Sequence, residues 1–225
     1  MKNTKKTRLL IFDLDGTLAD TLCGIKDGVN MAMDRFSFPT HTCEEVRSYV
    51  GTGSRDLIMR SLPAALAENT ELLDSVVKYY DSSCYPVTYN NGTECYEGMI
   101  DTLRILKERG YTLAVLSNKR DIFVVPMVAE LIPEGIISVA MGQRDDLPKK
   151  PDPTVALMIA ERYGFSAKET AFIGDSEPDI ATGKNGGMLT VGCAWGFRGR
   201  EVLRQAGADM IINAPTELLE LFPEL

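Results

Sequence analysis

The chain has 225 residues, of which 44% are hydrophobic, 25% charged and 8% aromatic. That is the composition of a globular protein rather than of a disordered, collagen-like or disulfide-stapled one. Its formal net charge is −8, without the basic stripe needed to displace counterions from phosphates, so a nucleic-acid partner is excluded. The length exceeds one average domain and falls short of two.

In chain order, a basic group (Lys2, Lys5, Lys6, Arg8) opens the sequence and reads as a solvated terminus. The apolar run Leu9–Phe12 follows and is cut short by Asp13 and Asp15. A secretory core needs roughly 7–15 apolar residues and a membrane span about 20, so neither a signal peptide nor a membrane partner is expected. Five widely spaced cysteines (Cys23, Cys43, Cys84, Cys95, Cys193) without a CxxC pair fit a reducing compartment, and a cytoplasmic location is expected. The single histidine, His41, lies in a turn-like stretch with Pro39 and Thr42 and reads as a surface residue.

Directly after the first apolar run stands Asp13-Leu14-Asp15-Gly16-Thr17. In open α/β sheets the ligand crevice lies outside the carboxyl ends of the strands. Residues two apart in extended backbone point the same way, so both carboxylates can face one crevice, with Gly16 allowing a tight turn behind them. One carboxylate can attack as a nucleophile while the other serves as acid and then base. Two like charges this close call for a cation, and Mg²⁺ prefers hard oxygen ligands.

Residues 19–90 show no strand-like run. Their apolar residues fall at helical intervals (Ile25, Val29, Ala32, Met33, Phe36; then Leu72, Leu73, Val76, Val77, Tyr80), as expected of a helical insertion after the first strand. Thr17–Thr21 and Pro86–Gly92 are the crossings and the expected hinges. Within it, glycines at 51 and 53 flank Thr52 and precede Arg55, so backbone can approach a ligand and a guanidinium can read a carboxylate or second phosphate. The alternative is a tight turn entering a helix, capped by Thr52 or Ser54, with Arg55 solvated.

From residue 91 onward short apolar runs (Leu113–Leu116, Ile136–Ala140, Ala171–Ile173, Met210–Ile212) alternate with amphipathic stretches such as Met99–Arg109 and Pro153–Tyr163. This alternation predicts a doubly wound α/β fold with a parallel sheet, formed by residues 1–18 and 91–225 around the 19–90 insertion. Ser117-Asn118 follows one run, and its hydroxyl and amides suit a phosphoryl oxygen or a plain turn. Lys149-Lys150-Pro151 precedes the second of these amphipathic stretches, where a lysine would neutralise a transferring group or be a solvated loop residue. Gly174-Asp175-Ser176-Glu177-Pro178-Asp179 follows another run: Asp175 is placed to complete a metal site, with Asp179 orienting it one turn on, or else the cluster is a helix cap.

Together, DLDGT after the first strand, SN after the second, KP before a late helix and GDSxxD after a following strand resemble the four motifs of the haloacid dehalogenase superfamily, in order and across the whole chain. The 149–153 and 51–57 stretches further resemble phosphoglycolate phosphatases with a small helical cap. The resemblance implies a Rossmannoid core, a cap domain over 19–90 and a Mg²⁺-dependent phosphatase acting on a small phosphorylated metabolite. It also implies that Asp13 forms an aspartyl-phosphate, that Asp15 protonates the leaving oxygen and then activates water, and that Ser117, Asn118 and Lys150 hold the phosphoryl group. Lys150 is preferred over Lys149 because it immediately precedes the proline. Mg²⁺ would bind Asp13, the Asp15 carbonyl and Asp175, with Asp179 behind, while Gly51, Thr52, Gly53 and Arg55 would select the substrate. The true dehalogenases lack the second aspartate because a halide leaves without a proton, so phosphoryl transfer is favoured. A phosphosugar mutase of the β-phosphoglucomutase type and a non-catalytic binding protein with the same fold are the rivals. Oligomeric state has no signature in the sequence.

Overall fold

The computed structural model describes residues 4–225; Lys2, and the side chain of Lys5, in the basic opening group lie outside what it describes. The chain divides into two compact units, one made of the residues up to Ala19 with Cys95–Leu225, the other of Asp20–Glu94. Among the described residues no helix is long and apolar enough to cross a membrane.

Strand β1 (Leu9–Phe12) is buried at every position. After the DLDGT turn come β2 (Ala19–Asp20) and then the helical unit: α1 (Leu22–Arg35), α2 (Cys43–Tyr49), α3 (Ser54–Ser61), α4 (Thr70–Tyr79), a π-helical turn over Tyr80–Cys84, and α5 (Tyr85–Thr88). The helical period foretells its core, because Ile25, Val29, Ala32 and Met33 are buried, as are Leu73, Val76 and Tyr80. Thr42 caps α2 through a reciprocal box with Glu45, satisfying two donors that a helix start leaves open.

His41 departs from its reading as a surface residue. It is half-buried, its backbone is bracketed by the Asn30 side chain at 2.8 and 2.9 Å, and Nε2 lies 2.8 Å from the Ser61 carbonyl. The ring also meets the edge of Tyr49. It is a strut joining α1 and α3.

Strand β3 (Glu94–Cys95) pairs with β2 as a two-stranded ribbon. The rest of the chain alternates: α6 (Met99–Glu108), β4 (Thr112–Arg120), α7 (Asp121–Leu131), β5 (Val139–Gln143), α8 (Thr154–Arg162), β6 (Thr170–Gly174), α9 (Glu177–Asn185), β7 (Leu189–Cys193), α10 (Gly199–Ala206), β8 (Met210–Ile212) and α11 (Leu218–Leu221). Six strands form one sheet in the order β5-β4-β1-β6-β7-β8, every pairing parallel. It is the doubly wound α/β sheet the sequence predicts. The order reverses direction at β1, so the crevice at its carboxyl end is the switch point where such sheets bind ligands.

Three details correct the expectation. Strand β7 is absent from the list of apolar runs because Thr190 and Gly192 interrupt it, yet it is buried at every position. Strand β5 begins only at Val139, with Ile136–Ser138 as lead-in. Strand β4 does not stop at Leu116 but runs to Arg120 with an irregular register against β5, so Ser117 and Asn118 lie inside the strand end rather than in a loop after it.

The carboxyl-terminal segment is tied down by Arg109, which donates to the carbonyls of Leu219 and Phe222 at 2.7 and 2.8 Å, and by Tyr111, whose hydroxyl donates to Pro223 O at 2.8 Å. Hydrogen bonds from a charged donor are worth about 1.5–3 kcal/mol each at a part-buried site, and less where water competes. Replacing Arg109→Met is expected to lower unfolding free energy by about 1–3 kcal/mol, read by urea denaturation, with the slope unchanged. An unmoved midpoint would show the lock to be incidental.

Candidate active site

The site is assembled at the carboxyl ends of the central strands. At the end of β1, Asp13 N donates to Ile173 O of β6 at 2.9 Å, which continues the ladder by one residue and fixes the start of the turn. Leu14 O then accepts from the amides of Thr17, Leu18 and Ala19. The fully buried Leu14 side chain anchors this knot from below. Gly16 has φ +80°, and a Cβ there would strike the Asp175 carboxylate. It is glycine for two reasons, conformation and space.

At the centre sits Lys150, 3% exposed. Its Nζ donates to Asp179 Oδ1 at 2.6 Å and lies 2.7 Å from Asp13 Oδ1. That second contact is an ion pair without hydrogen-bond angles, because Asp13 Oδ1 has no hydrogen-bond partner. Asn118 holds the lysine backbone from both sides: its Oδ1 accepts from Lys150 N at 2.8 Å and its Nδ2 donates to Lys150 O at 3.0 Å. The Asn118 side-chain amide is thus engaged in positioning Lys150. Ser117 is buried, and its Oγ accepts from Lys119 N at 3.3 Å.

At the end of β6, Asp175 Oδ1 accepts from Thr17 Oγ1 at 3.0 Å and Oδ2 from Phe197 N at 2.7 Å. The cluster does cap a helix, through Ser176 in a reciprocal box with Asp179 at the start of α9, and Asp175 takes no part in that box. Asp179 Oδ2 accepts from both Ser176 N and Ser176 Oγ, at 3.0 and 2.6 Å. Its two oxygens thus serve the helix start and Lys150. Neither Gly174 nor Gly196 has room for a Cβ, the first because of Asp179 and the second because of Asp175 and Gly16.

Asp13, Asp175 and Asp179 are all buried, with ligand oxygens within 4.8 Å of one another. Burial, then the neighbouring Asp179, pushes the Asp13 carboxyl up to about 7 despite Lys150. Burial, then Asp179 and Asp13, raises Asp175 well above the usual carboxylate range. Burial works against the Lys150 ammonium, yet Asp13 and Asp179 outweigh it and raise its pKa. Three carboxylates facing one ammonium leave an excess of negative charge that protein alone does not balance. Hard oxygen donors, a buried carboxylate oxygen that accepts no hydrogen bond and this charge excess together fit Mg²⁺.

Some of the site is missing from the sequence reading. Lys119 pairs with Asp15 in a nearly buried contact. Thr17, the Phe197 amide and the Trp195 indole, which donates to Thr17 O at 3.1 Å, brace Asp175 and the turn. Lys119 carries a usable signal, for it stands two residues after Ser117 and so shares its side of an extended strand. The loop after β7 carries none, because that strand is not visible.

In the helical unit, Gly51 and Gly53 have φ +123° and +97°. Gly53 stands at the start of α3 and offers it no side-chain cap. Ser54 instead donates to Asp81 at 3.3 Å. Arg55 pairs with Asp74 of α4, both half-exposed. Its guanidinium already has a carboxylate of its own.

Removing one partner from a buried ion pair typically costs about 3–5 kcal/mol because the other charges are left uncompensated. Lys150→Met should therefore lower unfolding free energy by about that much, read by urea denaturation in metal-free buffer. A loss below about 1 kcal/mol, the worth of a surface pair, would contradict the burial and ionisation described.

Residues 10–193 match the family model described as haloacid dehalogenase-like hydrolase. The chain is 30% identical over 218 residues to a phosphoglycolate phosphatase of Haemophilus influenzae, covering 95% of this chain and 97% of that one. It is 32% identical over 220 residues to phosphoglycolate phosphatase 1 of Pseudomonas aeruginosa, covering 93% and 78%. A crystal structure described as a predicted phosphoglycolate phosphatase from Haemophilus somnus superposes with a TM-score of 0.88 at 26% identity, covering 97% of this chain and 99% of that one.

Proposed function

Because the chain belongs to the haloacid dehalogenase-like hydrolase family, we propose that it is a Mg²⁺-dependent phosphoric monoester hydrolase whose substrate is a small phosphorylated metabolite, phosphoglycolate by kinship with its relatives. The observation that carries this reading is the buried Asp13–Lys150–Asp179 group at the end of β1, with Asp15 two residues on from the nucleophile position. A lone nucleophilic carboxylate would suffice for a halide; a second is needed where the leaving oxygen must be protonated.

In this mechanism a carboxylate oxygen of Asp13 attacks phosphorus, and Asp15 protonates the departing alkoxide as the ester bond breaks. Asp15, now ionised, takes a proton from water, whose oxygen attacks the aspartyl-phosphate and frees Asp13 and inorganic phosphate. Lys150 and Ser117 oppose the charge that spreads over the phosphoryl oxygens, while Asn118 acts through Lys150. Mg²⁺, held by Asp13, Asp175 and the Asp15 carbonyl with Asp179 behind, would supply electrostatic stabilisation to the transferring group. Gly51, Thr52, Gly53 and Arg55 of the helical insertion enter as selectors of the rest of the substrate, Arg55 only by exchanging Asp74 for a substrate anion. A cytoplasmic setting accompanies the reading.

The experiment is phosphate release from phosphoglycolate, hexose phosphates and p-nitrophenyl phosphate, with Mg²⁺ and with chelator. Release should require Mg²⁺, and Asp13→Asn should lower kcat by about 10³-fold or more. Near-normal turnover by Asp13→Asn overturns the mechanism, and interconversion of sugar phosphates without free phosphate would identify a mutase.

A further inference from the structure

We propose that Lys119 is the positioning residue for Asp15, holding its carboxylate at the place from which the proton is given and taken; this rests on the reading of Asp15 as acid and base. The Lys119 ammonium meets Asp15 Oδ1, their side chains being 6% and 11% exposed. On its other side Nζ touches Met127 Sδ of α7 at 3.8 Å, a soft, apolar wall that offers little competition for the charge.

A lysine is ordinarily a poor positioning group because its stem has four rotatable bonds. Here the stem's origin is fixed. The end of β4 and the first residue of α7 are held at three points: Ser117 Oγ accepts from Lys119 N, Asn118 clamps Lys150, and Asp121 Oδ1 accepts from Gly142 N at 2.7 Å. The Lys119 carbonyl itself lies so close to Gly142 that a Cβ there would strike it. The ammonium is thus delivered by the strand's irregular end rather than by side-chain freedom.

The two lysines divide three aspartates between them. Lys150 engages Asp13 and Asp179, while Lys119 engages Asp15. Holding Asp15 apart from the three-carboxylate group keeps it beside, and out of, the cluster that would otherwise repel it. When the ester bond breaks, the proton passes from Asp15 to the leaving oxygen, and the resulting carboxylate is received by Lys119. When water attacks, its proton goes to Asp15 as the bond from Asp13 to phosphorus breaks.

The test compares kcat/KM for phosphoglycolate, whose alkoxide needs a proton, with p-nitrophenyl phosphate, whose phenolate leaves without one. Because misplacement by an ångström can cost about 100-fold, Lys119→Met is expected to lose about 10- to 100-fold on phosphoglycolate. Loss on p-nitrophenyl phosphate should be a few-fold, on the order of the effect expected where proton transfer contributes little. Lys119→Arg keeps the charge and displaces it, so a smaller loss of the same selectivity is expected; this variant decides the matter if the methionine variant does not fold. Equal loss on both substrates, or no loss, overturns the proposal. Asp15→Asn is the benchmark: if it too shows no selectivity, the acid–base reading of Asp15 fails and takes this proposal with it. If it is selective and neither Lys119 variant is, only the positioning role fails.

Discussion

A single ammonium group, Lys150 Nζ, stands within 2.7 Å of two carboxylates that are all but sealed from water. Charges buried this way are tolerated only where geometry and hydrogen bonding compensate for the lost hydration. Much of the surrounding architecture meets that condition. Asn118 fixes the lysine backbone, the Ser176–Asp179 box fixes the receiving carboxylate, and the face of Phe172 lies 5.7 Å from the ammonium. Residues from three strand ends are thereby committed to one another before any substrate arrives.

The sheet order makes this commitment possible. With β4 and β6 flanking β1, the residues that follow three separate strands emerge side by side. Close approach then requires missing side chains, and the chain supplies them at Gly16, Gly174 and Gly196, each of which faces an aspartate. An alanine in any of the three would displace an acidic side chain by contact rather than by charge. Preorganisation here is therefore a matter of volume as much as of electrostatics.

The acidic motifs were readable because each combines a strand-like run with residues rarely found together by chance, and because Asp13 and Asp15 are near in sequence as well as in space. The Asn118 side-chain clamp was not legible: nothing local in sequence marks an amide that holds a backbone 32 residues away. Strand β7 escaped notice because Thr190 and Gly192 break the apolar run, although in a strand buried on both faces such residues are still covered. With it went the loop carrying Trp195 and Phe197. Arg55 shows a different limit of local pattern. Its position suggested recognition, but a partner nineteen residues away on α4 is invisible to any local pattern.

The central strand is also the first to be made. Leu9 pairs with Thr112 and Thr170, so β1 waits for partners that leave the ribosome roughly a hundred and a hundred and sixty residues later, at about 5–20 residues per second. During that interval an apolar tetrapeptide that ends up buried on both faces has nowhere to go. The helical unit emerges next, and its contacts are local enough to form early. Once compact, it draws the ends of the insertion together and shortens the loop that β1 and β4 must close, which lowers the entropic barrier to sheet nucleation. A compact insertion thus leaves a shorter effective loop for the pairing of β1 with β4, on which the strand-end residues depend.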